Sequence, residues 1–118
     1  MQHGGADVVL TIDASLQEVA EKALANNIES IRNGELGTAY NATGGAMVVM
    51  NVKNGEVLAM ASYPDYNPSK FTFGIDPETW NTYKDSNMKN RAIQEIYPPG
   101  SIYKMVTAVT RIRDRRNR

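Results

Sequence analysis

Ala46-Met47-Val48-Val49-Met50-Asn51-Val52-Lys53-Asn54-Gly55-Glu56-Val57-Leu58-Ala59-Met60-Ala61 is the stretch that decides how this chain folds. Two β-rich runs, 46–51 and 56–61, flank Val52-Lys53-Asn54-Gly55. Asn-Gly between such runs is the strongest short hairpin signal, because Asn and Gly tolerate the positive φ that tight hairpin turns demand. The pattern predicts two antiparallel strands. The first run is apolar on both of its faces, which predicts a central strand covered by helices rather than a half-exposed edge.

Working outward toward the N-terminus, residues 33–45 are rich in Gly, Asn and Thr with little periodicity, which marks a loop. Before it, Leu16, Val19, Ala20, Ala23, Leu24, Ile28 and Ile31 recur at helical spacing. They predict a long helix with one stripe on a core, while Gln17, Glu18, Glu21, Lys22 and Glu29 face water. Asp13 is placed to cap it, its side-chain oxygen accepting from a free N–H of the first turn. Val8-Val9-Leu10-Thr11-Ile12 is short and β-rich and predicts a strand feeding that helix.

Downstream of Ser62-Tyr63-Pro64-Asp65-Tyr66-Asn67-Pro68 the chain becomes irregular. A short helix is expected around residues 76–84, with Pro77 suited to the first turn. Ile96-Tyr97-Pro98-Pro99-Gly100 stops regular structure, and Ser101 is expected to begin a second helix with apolar positions at Ile102, Met105, Val106, Val109 and Ile112. The fold class is mixed, α/β in the α+β sense: a long helix, an antiparallel hairpin and a second helix headed by Ser101.

The 118 residues, 42% hydrophobic and 22% charged, suit one globular domain or part of one. No apolar run approaches the roughly 18 to 20 residues that cross a bilayer, and the N-terminus lacks a secretory layout. Without cysteine there is neither a disulfide framework nor a thiolate metal site. The single histidine, His3, lies in a Gly-rich start, so metal catalysis is not expected and no cofactor is implied.

The formal net charge is zero but unevenly spread. Residues 1–110 hold eight Lys or Arg against twelve Asp or Glu, a balance of −4. Residues 111–118, Arg-Ile-Arg-Asp-Arg-Arg-Asn-Arg, hold five arginines and one aspartate, +4. Such a block ordinarily stays solvated. A nucleic-acid arm is one reading of it, but no aromatic residue is interleaved and no basic surface extends it. The expectation is no nucleic-acid partner, and a tail that reflects truncation or disorder after a domain portion spanning 1–110.

Ser101-Ile102-Tyr103-Lys104 fits S-x-x-K. Residues three apart on a helix share a face, so the lysine amine can reach the serine hydroxyl. An alcohol is a poor nucleophile at neutral pH, and an adjacent base that takes its proton makes acyl transfer feasible. For lysine to act as that base, desolvation or nearby positive charge must lower its pKa. Six serines and six lysines can place one such pair by chance. Taken alone, the tetrad reads sooner as a helix cap followed by a solvated lysine. The lead-in Pro98-Pro99-Gly100 and the helix start, whose free N–H groups favour developing negative charge, suit a nucleophile.

The wider pattern carries a resemblance. Asp7-Val8-Val9-Leu10-Thr11-Ile12-Asp13 is followed by a helix, then by Gly45-Ala46-Met47-Val48-Val49-Met50 and Asn54-Gly55-Glu56-Val57-Leu58-Ala59-Met60-Ala61-Ser62-Tyr63-Pro64. Asn90-Arg91-Ala92-Ile93-Gln94 then precedes Tyr97-Pro98-Pro99-Gly100-Ser101. In order and spacing, over about residues 7–110, this resembles the class B penicillin-binding proteins.

The resemblance implies that the serine at position 101 attacks the D-Ala-D-Ala carbonyl of a peptidoglycan stem peptide, forms an acyl-enzyme, and passes the acyl group to a second stem's amine. β-Lactams acylate the same serine. The lysine at position 104 assists proton transfer, and the serine's own N–H supplies half of the oxyanion hole. The implied setting is extracytoplasmic and attached to the cell membrane in a full-length parent. The family's fold, a five-stranded antiparallel sheet with helices on both faces, would be only partly present here. Its second and third motifs, S-x-N and K-S/T-G, are also missing. No Ser-x-Asn occurs, and Lys53-Asn54-Gly55 precedes Ser101 and reads as the hairpin turn.

The chain alone is therefore expected to be catalytically incomplete, and to cover its unpaired sheet edges by self-association or strand exchange. A non-catalytic binding or assembly module built on the same scaffold, and a serine β-lactamase fragment sharing S-x-x-K, are the rival readings; Tyr-Pro-Pro-Gly favours the transpeptidases. Met47, Met50, Met60 and Met105 read as core fillers. Tyr63, Tyr66 and Trp80 read as loop-packing aromatics, and Arg91 as half of a structural ion pair.

Overall fold

The computed structural model describes residues 5–85 and 87–116, with no side chains described from 114 onward. His3 and the final two residues of the arginine-rich segment lie outside the described residues. The elements in chain order are helix α1 (Ala14–Asn33), strands β1 (Gly45–Met50) and β2 (Val57–Tyr63), short helices α2 (Pro77–Tyr83) and α3 (Arg91–Gln94), and helix α4 (Lys104–Arg116). Single 3₁₀ turns occupy Pro68–Phe71 and Gly100–Tyr103.

β1 and β2 form an antiparallel pair in which Met47 faces Ala61 and Val49 faces Ala59, with a bulge after Val49. The turn closes through Asn51 N–H donating to the Glu56 carbonyl at 2.8 Å, and Gly55 takes φ 80°, where a Cβ would be strained. The hairpin read from Asn54-Gly55 is thus present, displaced by one or two residues at its ends.

α1 begins where Asp13 Oδ1 accepts from Leu16 N–H at 2.9 Å and ends at Gly34, φ 72°, in a left-handed cap. It lays Ala20, Leu24 and Ile28, one i+4 row, across the sheet face that carries Ala59 and Ala61. Those two alanines are fully buried, and their small size lets the helix backbone approach the sheet. Leu16, Met47, Val49 and Tyr63 close the rim. Removing Leu24 and Ile28 from water contributes about 1.5–3 kcal/mol each, so this seam holds the body together. Val19 and Ala23, included in the expected stripe, point outward, and Val19 is 61% exposed.

Four further expectations are corrected. Residues 8–12 form no strand: Val8 and Val9 are exposed, and only Asp13 N–H, at 2.9 Å from the Leu58 carbonyl, and the Thr11 hydroxyl, at 2.6 Å from that of Val57, reach β2. Gln17 does not face water; its amide lies on the backbone of Met60. The second face of β1 is not fully covered, since Val48 and Met50 are 46% and 54% exposed. α3 covers only part of the sheet's second face. Met50 and Met105 are accordingly exposed rather than core fillers, whereas Met47 and Met60 are partly buried.

The middle segment packs through its aromatics. Tyr66 meets Phe71 edge-on at 5.6 Å, and Phe71 stacks on Tyr83 at 6.4 Å, tying the Pro68–Phe71 turn to α2. Trp80 remains 44% exposed. The Arg32 guanidinium lies 5.9 Å from the Tyr63 ring. α2 starts at Pro77 behind an Asp76 cap, as its sequence predicts. Taken whole, the chain has a radius of gyration of 19.5 Å, against about 13.5 Å for a compact domain of this length. Two exposed parts contribute to the excess: residues 5–11, and α4, which among the described residues packs against no element except the turn that leads into it.

Candidate active site

The approach to Ser101 is anchored at α3. Asn90 caps that helix, its side chain accepting from Ala92 N–H at 3.2 Å, and Arg91 N–H donates to the Ser62 hydroxyl at 3.0 Å, fixing the helix to β2. Arg91 is buried, at 8% exposure, and its side chain pairs with Glu95 one turn on. Glu95 in turn accepts from the Tyr97 hydroxyl at 3.1 Å. Burial first, then the Glu95 carboxylate, raises the Tyr97 phenol above its ordinary pKa. The ion pair expected of Arg91 is present; Glu95 and Tyr97 extend it into a chain that ends four residues before Ser101. The Arg-x-x-x-Glu spacing is the signal that locates Glu95 in the sequence.

Beyond Tyr97 the backbone is shaped by three residues. Pro98 and Pro99 carry no N–H, and Gly100 adopts φ 51°. Ile102 N–H then donates to the Pro99 carbonyl at 3.3 Å, and Lys104 N–H to the Ser101 carbonyl. These i+3 bonds make residues 100–103 a 3₁₀ turn. Ser101 therefore does not begin the α-helix as expected; α4 begins at Lys104. In a 3₁₀ turn, residues three apart eclipse one another, so positions 101 and 104 lie on one side of the chain. No side chain caps the turn from Pro99, and the Ser101 hydroxyl, exposed to solvent, makes no hydrogen bond among the described residues. The reading of Ser101 as a mere helix cap therefore has no capping bond behind it.

Lys104 is exposed as well. Ser101 lies in the turn and Lys104 at the first position of α4, and among the described residues neither element packs on the hairpin. A groove of about 440 Å³ runs beside β1, lined by Gly44, Ala46, Val48, Arg91, Ala92 and Tyr97, and neither Ser101 nor Lys104 lines it. No helix among the described residues is long and apolar enough to cross a membrane.

A long helix laid on an antiparallel hairpin, with a separate helix after a 3₁₀ turn, defines the class: part of a mixed α/β domain. Residues 45–115 match the model of the penicillin binding protein transpeptidase domain, and the chain belongs to that family. Among curated proteins it is 33% identical over 108 residues to the peptidoglycan D,D-transpeptidase MrdA of Acinetobacter baumannii, covering 89% of this chain and 14% of that protein. It is 31% identical over 112 residues to the stage V sporulation protein D of Bacillus subtilis, covering 95% and 15%. To the MrdA of Escherichia coli K12 it is 34% identical over 109 residues, covering 90% and 15%. The chain thus spans about one-seventh of the length of these relatives. No solved structure matches it.

Proposed function

We propose that these residues are the nucleophile-bearing front portion of the transpeptidase domain of a peptidoglycan D,D-transpeptidase, acylated through Ser101 both by stem peptides and by β-lactams. The observation that supports this most is the placing of Ser101 and Lys104 on one side of a 3₁₀ turn, inside the segment that matches the family. In the proposed reaction the neutral Lys104 amine takes the hydroxyl proton as Ser101 Oγ bonds to the carbonyl carbon of the penultimate D-Ala. The C–N bond to the terminal D-Ala then breaks, and that amine leaves carrying a proton. A second stem's amine attacks the resulting ester and restores the serine. The Ser101 N–H is one of the two donors for the oxyanion. The setting of such a reaction is extracytoplasmic, where peptidoglycan is.

The 118 residues contain no Ser-x-Asn and no Lys-Ser/Thr-Gly, so the chain alone is expected to lack turnover. Covalent labelling with a fluorescent penicillin tests the reading. In the longest protein encoded in this frame, one adduct on Ser101 is expected, absent from Ser101→Ala; label on another residue overturns the assignment. The 118 residues alone are expected to stay unlabelled, and an adduct there would show that the pair acylates unaided.

A non-catalytic binding module is the second reading, favoured by the exposure of α4 as far as Arg113, with Arg111 and Arg113 both exposed. Retention on an anionic matrix that falls with salt and disappears when residues 111–118 are removed supports it. Self-association of the chain belongs to either reading, because a two-stranded sheet is marginal alone in water.

A further inference from the structure

Glu95 uses both oxygens of its carboxylate, and uses them on opposite sides of a change in backbone direction. Oε1 pairs with the Arg91 guanidinium, one turn back in α3, and Oε2 accepts from the Tyr97 hydroxyl at 3.1 Å, beyond the end of that helix. Glu95 itself has left the helix, with φ −121° and ψ 155°. Arg91 is in turn seated on the hairpin in two ways. Its N–H donates to the Ser62 hydroxyl at 3.0 Å, and its guanidinium lies so close to Gly44 that a Cβ there would come within 2.9 Å of Nε. One carboxylate thus ties the start of β1 and the end of β2 to the phenol of Tyr97.

From Tyr97 to Ser101 the backbone has little freedom. A residue before proline is confined to extended conformations, which applies to Tyr97 and Pro98, and the rings of Pro98 and Pro99 lock φ at about −65°. Pro99 turns the chain with ψ −24°. Gly100, φ 51°, is the one joint left before the serine. Holding the Tyr97 hydroxyl therefore holds the direction in which Ser101 is delivered. Every group in this link is a described residue of the chain. Stability is a weak account of the link, because a buried ion pair contributes little beyond apolar side chains of the same volume. An apolar pair in its place would leave the Tyr97 hydroxyl without its acceptor.

We infer that Glu95 is a positioning residue for acylation at Ser101, acting through Tyr97 and the two prolines rather than by touching the substrate. The inference rests on the acylation reading above and assigns that reaction a further residue.

Tyr97→Phe is the decisive variant, because it removes one hydroxyl from a half-exposed ring and leaves the Arg91–Glu95 pair in place. In the longest protein encoded in this frame, the rate of Ser101 labelling, followed against the concentration of fluorescent penicillin, separates binding from the acylation step. Displacing a reacting group by about 1 Å can slow a reaction about 100-fold, so Tyr97→Phe and Glu95→Ala should each slow acylation about tenfold or more while binding changes less than about twofold. Glu95→Gln, whose amide oxygen and N–H can still span the two partners, should recover most of the rate. Wild-type acylation rates in Tyr97→Phe and Glu95→Ala overturn the inference, while the Ser101 adduct itself upholds the acylation reading. A wild type that forms no adduct on Ser101 overturns both. In the 118-residue chain, Tyr97→Phe should lower the ¹⁵N order parameters at positions 97, 100 and 101; unchanged values overturn the tether independently of any acylation.

Discussion

Gln17 stands in for a strand beside Met60: Met60 N–H donates to Gln17 Oε1 at 2.8 Å, and Gln17 Nε2 donates to the Met60 carbonyl at 2.9 Å. The pair is partly buried, so replacing the amide strands a backbone donor and acceptor that water reaches poorly. Gln17→Leu should cost about 1–3 kcal/mol in urea unfolding. Gln17→Glu, which retains an acceptor but not the donor, should fall between. Equal stability of wild type and Gln17→Leu would mean that the edge is solvated in practice.

Leu24 and Val19 separate the helix stripe into what is buried and what only looks buried. Leu24→Ala empties the seam against Ala59 and Ala61 and should cost about 2–5 kcal/mol. Val19→Ala, on the exposed side, should stay within about 0.5 kcal/mol. Thermal unfolding followed at α1 discriminates the two, and similar losses would contradict the helix orientation described.

Gly44 has no room for a side chain. A Cβ there would lie 2.6 Å from the Tyr63 carbonyl oxygen and 2.9 Å from Arg91 Nε, so Gly44→Ala must move backbone or the buried guanidinium. The expected cost is about 1–3 kcal/mol, with the amide resonances of Arg91 and Glu95 shifting. Unchanged resonances there would argue against this packing.

Gly100 acts locally. Its φ of 51° costs a non-glycine residue about 1–2 kcal/mol, so Gly100→Ala should disorder the 3₁₀ turn and lower helicity at Ser101–Lys104. Because α4, among the described residues, packs only on that turn, the main unfolding midpoint should hardly move. A large fall in the midpoint would reveal packing of α4 on the body.

Asp76 makes the start of α2 acid-sensitive. Its carboxylate accepts from the Thr79 hydroxyl at 2.6 Å and from Thr79 N–H at 2.9 Å, and these bonds, the side-chain one first, hold its pKa below the usual carboxylate range. A depressed folded pKa means that the stabilisation is complete above the unfolded value and is lost as pH falls through the folded one. The Thr79 amide resonance should follow that acid step, and Asp76→Asn should remove it. A titration midpoint at or above the ordinary value would reverse the sign.

The hairpin and α1 were legible because their signals are local: Asn54-Gly55 dictates a turn, and Asp13 with Leu24 and Ile28 dictates a capped amphipathic helix. Residues 8–12 misled because β propensity expresses itself only where an edge is free, and the Gln17 amide already occupies the β2 edge at Met60. Gln17 itself was hidden, since a polar residue on a helix flank reads as solvent-facing until the strand beside it is known. At the site, the Ser101–Lys104 motif was legible, but not that Ser101 would sit in a 3₁₀ turn ahead of the helix. That α4 stands clear of the body was not foretold, because an apolar stripe such as Met105, Val106 and Val109 records a demand for burial and not whether anything meets it.

The occupied edge of β2 also sets a direction on sheet growth. A hairpin with one side filled by its own side-chain amide can lie at the margin of a sheet but not in its interior. Any assembly built on it, within one chain or between copies, must stop at β2, so open-ended stacking into filaments is closed to the folded form while Gln17 holds Met60.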